Sequence, residues 1–370
     1  MKLTILIPGL TALLAVVFAL ALFDQWRERR QTFQLVWAVG MVFFAIGSSA
    51  EAIAGAFGWN ETLYRAWYLA GAICTAGWLG LGTAFLLGKT RFGYTYAGCL
   101  LLAGVFTLLT QRKFEYVGSG SAPALYLVIG IVLALAVAVE TYFQNREWPR
   151  IAAAGVIGAT VLAIGLMIVT ALPAPGYSLD PVTSMPTGEI LPGTIRLLTP
   201  FLNITGGLAL ILGALFSAYV FMPKRRVLDY SLDPGQKGDE FLFNLAIAPV
   251  AIVVNFIASL PGAVNGLVHG RLHSRVPATI LIAVGAFVAS STDSLNRFGS
   301  TELFQAGKLV AVLLLLAGFL VSIEVFREIR IPFTAIRLAT RRHERTALTR
   351  EMAGAGAASG DPGDGSRPHD

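Results

Sequence analysis

The chain has 370 residues, of which 55% are hydrophobic and only 14% charged, with a formal net charge of +6. A soluble domain carries about 25% charged residues, so a soluble globular enzyme is excluded and a membrane protein is indicated. The apolar runs are continuous and roughly twenty residues long, which fits membrane-crossing helices and excludes an alternating barrel pattern.

Leu3–Phe23 is the first apolar run. Ala19-Leu20-Ala21 has the form of a signal-peptide cleavage site, but only Lys2 precedes the run while Arg27, Arg29 and Arg30 follow it. That charge order favours an uncleaved span that starts outside and ends in the cytoplasm. Phe33–Phe57 and Thr62–Leu87 then read as a helical hairpin around the turn Phe57-Gly58-Trp59-Asn60. Further spans are expected at Phe92–Thr110, Ala122–Phe143, Ile151–Leu172 and Pro200–Phe221. The basic residues Lys89 and Arg91, Arg146 and Arg150, and Lys224, Arg225 and Arg226 fall in alternate loops, which places those loops in the cytoplasm; Arg112 and Lys113 are the discordant pair.

Pro173–Ile195 is the longest external loop, rich in proline, free of Lys and Arg, and carrying Asp180 and Glu189. Its prolines predict an ordered cap over the outer mouth rather than a loose linker. Thr199-Pro200 has the form of an N-cap followed by proline at the first helical position. Past Phe326 the tail carries Arg327, Arg330, Arg337, Arg341, Arg342, Arg345 and Arg350, which assigns it to the cytoplasm. An even number of crossings must therefore separate it from Lys224–Arg226, yet three apolar segments are visible. Phe241–Val268, interrupted by Pro249 and Pro261 and followed by His269, Arg271, His273 and Arg275, is read as a segment that enters and returns. The expected fold is an all-α polytopic transmembrane helical bundle of nine full spans plus one broken or re-entrant segment, with ten plain spans as the alternative. Residues 1–326 form the membrane domain, 327–352 a basic juxtamembrane segment in which Ile329, Phe333 and Ile336 can share a face, and 353–370 a disordered tail.

The hairpin at Phe33–Leu87 has an echo at Val276–Val325. Ser48-Ser49-Ala50-Glu51, Phe57-Gly58, Glu61 and Ala76-Gly77-Trp78-Leu79 align with Ser290-Ser291-Thr292-Asp293, Phe298-Gly299, Glu302 and Ala317-Gly318-Phe319-Leu320. Each copy puts an acid in its first helix and a base in its second: Glu51 with Arg65, and Asp293 with Lys308. Desolvated carboxylates need a partner, a proton or water. The expectation is one ion pair locking each hairpin, and the functional alternative is a proton or cation relay. Arg196, Asn203, Asn244 and Asn255 are further polar candidates within or beside apolar segments, as helix glue or, flanking Pro249, as site-lining groups.

No cofactor or metal is implied. His269 and His273 share helical spacing but read as loop residues, and no expected span holds a histidine to ligate a haem. Cys74 and Cys99 read as packing residues. Trp26, Trp59 and Trp148 read as interfacial anchors. Ala66, Ala70 and Cys74, and Gly155, Ala159 and Ala163, form small-residue rows suited to close helix packing. No phosphate loop, HExxH or GxSxG motif is present.

The stretch Trp59–Gly71, continuing through Gly77-Trp78-Leu79-Gly80-Leu81-Gly82, resembles a hairpin of uncharacterised bacterial polytopic inner-membrane proteins. It is also loosely similar to the multi-span sensor regions of histidine kinases, although Arg327–Asp370 holds no kinase. The resemblance implies a bacterial inner-membrane protein, with the amino terminus external and the carboxyl terminus cytoplasmic by the charge rule. The expected function is a sensor, binding or assembly component; a small-molecule or ion transporter is the alternative, and an intramembrane enzyme the second alternative. The expected partners are the bilayer itself, anionic lipids at the basic tail and a membrane-protein partner, with no nucleic acid.

Overall fold

A computed structural model describes residues 3–143, 147–181, 184–231, 238–269, 272–273, 275–297, 301–321, 328–330 and 337–339. Among the described residues, ten helices are long and apolar enough to cross a membrane. They are α1 (Leu3–Arg29), α2 (Thr32–Phe57), α3 (Glu61–Leu86), α4 (Phe92–Phe114), α5 (Ala122–Phe143), α6 (Trp148–Val169), α7 (Leu198–Phe221), α8 (Gly238–Val268), α9 (Arg275–Arg297) and α10 (Thr301–Val321). The chain is thus a multi-pass helical membrane protein. Glu328–Arg330 and Arg337–Ala339 form a short antiparallel pair; the expected shared face of Ile329, Phe333 and Ile336 lies outside the described residues. The second hairpin turn and the disordered-tail expectation lie outside the described residues.

Helix α7 divides the bundle. On one side, Tyr64, Tyr96, Trp148 and Phe201 anchor a core built by α3, α4, α5, α6 and α7. On the other, Phe18, Met41, Leu315 and Phe319 anchor a core of α1, α2, α9 and α10. Trp37 packs edge-on against Phe319, with ring centroids 4.7 Å apart, and donates its indole N–H to the Leu79 carbonyl at 3.0 Å.

The backbones meet most closely at glycines that the small-residue rows did not single out. A Cβ on Gly206 of α7 would sit 2.0 Å from the Ala76 carbonyl oxygen of α3, and one on Gly80 would sit 2.4 Å from Gly206 Cα. These are backbone clashes, which side-chain rotation cannot relieve. Gly206→Ala is therefore expected to push α3 and α7 apart at a cost of about 1–3 kcal/mol, the range for overpacking a tight core. A thermal-unfolding comparison with Gly207→Ala, whose Cβ would meet only Ser290 Oγ at 3.5 Å, would check it.

The proline-rich loop caps one end of this bundle. Met185, Leu191 and Ile195 are buried. The Gly193 N–H donates to the Val117 carbonyl at 2.7 Å, and Tyr126 donates to the Thr194 carbonyl at 2.9 Å. Thr199 does not cap α7. Leu198 already belongs to the helix, and Thr199 Oγ1 instead donates to the Tyr68 hydroxyl at 3.2 Å. Trp148 is likewise no interfacial anchor: it is 1% exposed and donates to the Gly88 carbonyl at 3.1 Å.

The expected broken segment is an unbroken 31-residue helix, α8. Pro249 and Pro261 sit inside it at exposed positions, where the lost N–H bond does not open the packed face. The chain leaves α7 and enters α9 at the same end of the bundle: Gly207 faces Ser290 along the antiparallel pair, while the Phe221 ring stacks on His273 and lies under the Arg275 guanidinium at that end. Residues 222–231, which follow α7, run back along α8 as a strap. Ser259 Oγ accepts from Arg225 N at 2.9 Å, Asn255 Oδ1 from Val227 N and Leu228 N at 2.7 and 2.9 Å, and Asn244 Oδ1 from Ser231 N at 3.3 Å. The opposite face of α8 exposes Val250, Val253, Ile257, Leu260, Val264 and Leu267, alternately three and four residues apart.

Candidate functional site

Glu51 lies on the α2 face turned toward α1 and α10. Its side chain is 3% exposed and its Oε1 accepts from Lys308 Nζ of α10 at 2.7 Å. The same oxygen accepts from Trp67 Nε1 of α3 at 2.8 Å. Lys308 is itself 17% exposed and rests 5.0 Å from the centroid of Phe304, one turn earlier on its helix. The ion pair thus joins the first hairpin to the second. This corrects the expected pairing of Glu51 with Arg65, which pairs with Glu61 instead; the expected pair of Asp293, on α9, with Lys308 rests on a side chain outside the described residues.

Local backbone geometry sets this meeting. A Cβ on Gly47 would sit 2.9 Å from Gly71 Cα, so α2 and α3 approach at backbone contact one turn from Glu51. Residues Tyr68–Cys74 are π-helical, with Thr75 Oγ1 donating to the Ala70 carbonyl at 2.8 Å. A π stretch shifts the helical register. Trp67, just before it, reaches Glu51, while Gly77 and Gly80, beyond it, still face α7. Sequence reading assigned Trp67 no role, and no local signal marks it, because the contact depends on that register shift.

Ser48 of α2 and Gln305 of α10 are also buried beside the pair, with Pro8 and Thr11 of α1 closing the ring. Ser48 Oγ and Glu51 Oε2 have no hydrogen-bond partner among the described residues. The space between these six residues admits no water-sized body. The arrangement can hold α1, α2, α3 and α10 together. It has no room for a solute of water size or larger.

The other candidates do not join this cluster. Arg65 forms an ion pair with Glu61 at 2.6 Å and donates to the Met167 carbonyl and, at 2.6 Å, to that of Thr170. It therefore ties the C-terminus of α6, where a cation also complements the helix dipole. Arg196, in the short helical turn before α7, lies with its guanidinium carbon 3.8 Å from the centre of the Tyr116 ring. Asn203, on α7, is half-buried and its Oδ1 is unpartnered among the described residues. Asn244 and Asn255 hold the strap. His273 stacks on Phe221, and no group of three or more potential metal ligands occurs among the described residues.

A second feature faces the lipid. Val16 and Leu20 of α1, Val42 and Ile46 of α2 and Leu63 of α3 wall an open groove of about 380 Å³, whose floor includes Ala45, Ser49 and Ala66. No protein-family model matches this chain, and no curated protein or solved structure matches it either.

Proposed function

We propose that the protein is a binding or assembly component of a bacterial inner membrane, with its amino terminus outside and its carboxyl terminus in the cytoplasm, and that it seats a partner's transmembrane helix in the α1–α2–α3 groove. The observation that carries this reading is the contrast between the two features above. The buried polar cluster is packed shut around a structural ion pair, whereas the groove is apolar, open and floored by small residues. Small residues let helix backbones approach closely, which is how helices associate in lipid. A carrier needs a polar site that solute can reach, and among the described residues Glu51 and Lys308 do not line one.

A photo-crosslinking residue at Ser49 is expected to yield a discrete protein adduct in native membranes. The same residue at Val132, on the lipid-exposed face of α5, is expected to yield lipid adducts. Lipid adducts alone from both positions would remove the assembly reading.

A further inference from the structure

At the end of the bundle where α7 finishes, a cavity of about 400 Å³ lies between the strap and the α3–α4 turn. Its charged lining is entirely basic: Arg91 from the turn, and Lys224 and Arg226 from the strap. Tyr219, Leu228, Tyr230 and Ser231 are also among its described lining residues, which include no carboxylate. Partial burial raises the Tyr230 hydroxyl pKa above its ordinary value, so this phenol stays protonated and able to donate.

The cations are held in place on both sides. Asn255 accepts from two strap N–H groups and donates to the Leu228 carbonyl at 2.7 Å, while Ser259 holds Arg225 N, so the backbone bearing Lys224 and Arg226 is fixed to α8. Arg91 donates to the Thr141 carbonyl at 3.3 Å, which anchors it to the end of α5. Lys224 also lies 5.7 Å from the Tyr219 ring centre. Lys224 and Arg226 are exposed to solvent, and a cluster of cations raises the local concentration of anions. Two guanidinium groups and an ammonium, with hydroxyl donors beside them, match the geometry and charge of a phosphate group.

We propose that this pocket binds a phosphate ester or phosphate ion, the phosphate being supplied either by an anionic phospholipid headgroup or by a soluble phosphate compound. The proposal does not depend on the groove or on its partner.

The test uses the full chain in nanodiscs of phosphatidylcholine with and without phosphatidylglycerol, read by native mass spectrometry, together with calorimetric titration of inorganic phosphate into protein in a phosphate-free detergent. Preferential retention of phosphatidylglycerol identifies the lipid source, and phosphate binding without such retention identifies the soluble source. In either case K224A/R226A is expected to weaken binding by about tenfold or more, the loss of at least one charge-assisted hydrogen bond. Arg226→Lys, which keeps the charge, is expected to retain most of it. R112A/K113A removes the same charge from the far end of α4 and is expected to leave binding unchanged. The proposal is overturned if wild-type protein shows neither interaction, or if K224A/R226A binds as wild type does, or if R112A/K113A loses binding equally.

Discussion

Glu51→Gln is expected to lower the stability of the bundle by about 3–5 kcal/mol, the cost of leaving one partner of a buried ion pair uncompensated. Lys308→Met should cost a similar amount, because it strands Glu51, whose side chain is only 3% exposed. The double variant E51Q/K308M is expected to recover most of the loss, since two neutral groups replace the pair and neither charge is buried alone. Trp67 keeps an acceptor in the glutamine carbonyl, so its 2.8 Å hydrogen bond can survive the change. Steric trapping or thermal unfolding in detergent would measure all three. The identity of the partner is a separate question, which charge reversal decides. Glu51→Lys should be rescued by Lys308→Glu and not by Arg65→Glu, because Arg65 is committed to Glu61 and to the end of α6. Rescue by Arg65→Glu would restore the pairing within one hairpin, and a neutral Glu51→Gln would mean that the pair contributes no stability.

That distinction marks where sequence reasoning stopped. Counting residues from the turn at Gly58 gives depth, since an antiparallel hairpin brings equally distant positions level. Glu51 and Arg65 are indeed each seven residues from Gly58. It gives no azimuth. Glu51 meets Lys308 of α10 and, within its own hairpin, Trp67 rather than Arg65, whereas Arg65 points toward α6. The rotation depends on close backbone contacts at Gly47 and Gly71 and on the π stretch that follows Trp67. None of these has a period that can be read from one chain.

What was legible rested on long, redundant signals. Apolar runs of membrane length predicted the helices, and prolines predicted that the loop after α6 is ordered against the bundle. Pro249 and Pro261 misled, because a proline removes one helical bond without ending a helix whose remaining bonds hold. Asn255 was visible as a polar residue in an apolar run, but its partner was not, because the strap that satisfies it has no regular pattern of its own.

The strap also decides how α8 meets the membrane. Single cysteines at Ser231 and His273 are expected to react with a membrane-impermeant maleimide from the same side, and one at Tyr177, in the outer loop, from the other. Native background should be small, because Cys74 and Cys99 are buried. α8 spans about 46 Å at 1.5 Å per residue, enough to cross a bilayer. However, the strap is bonded along it from Ser259 to Asn244, so a crossing α8 would carry the strap across as well. Lys224, Arg225, Arg226 and Asp229 would then enter the bilayer, where an Arg, Lys or Asp costs about 2.5–3.5 kcal/mol at a helix centre. Extended backbone would be exposed to lipid beside them, which the hydrocarbon region does not tolerate. Lying in the interface avoids both costs. The exposed apolar row from Val250 to Leu267 then enters the acyl boundary, while the strap stays in the headgroup layer. Asn255→Leu should loosen the strap, because Val227 and Leu228 each lose their acceptor. It should raise the labelling rate of a cysteine at Val227 without moving it to the other side. If Ser231 and His273 label from opposite sides, α8 is a full crossing and the in-plane placement is wrong.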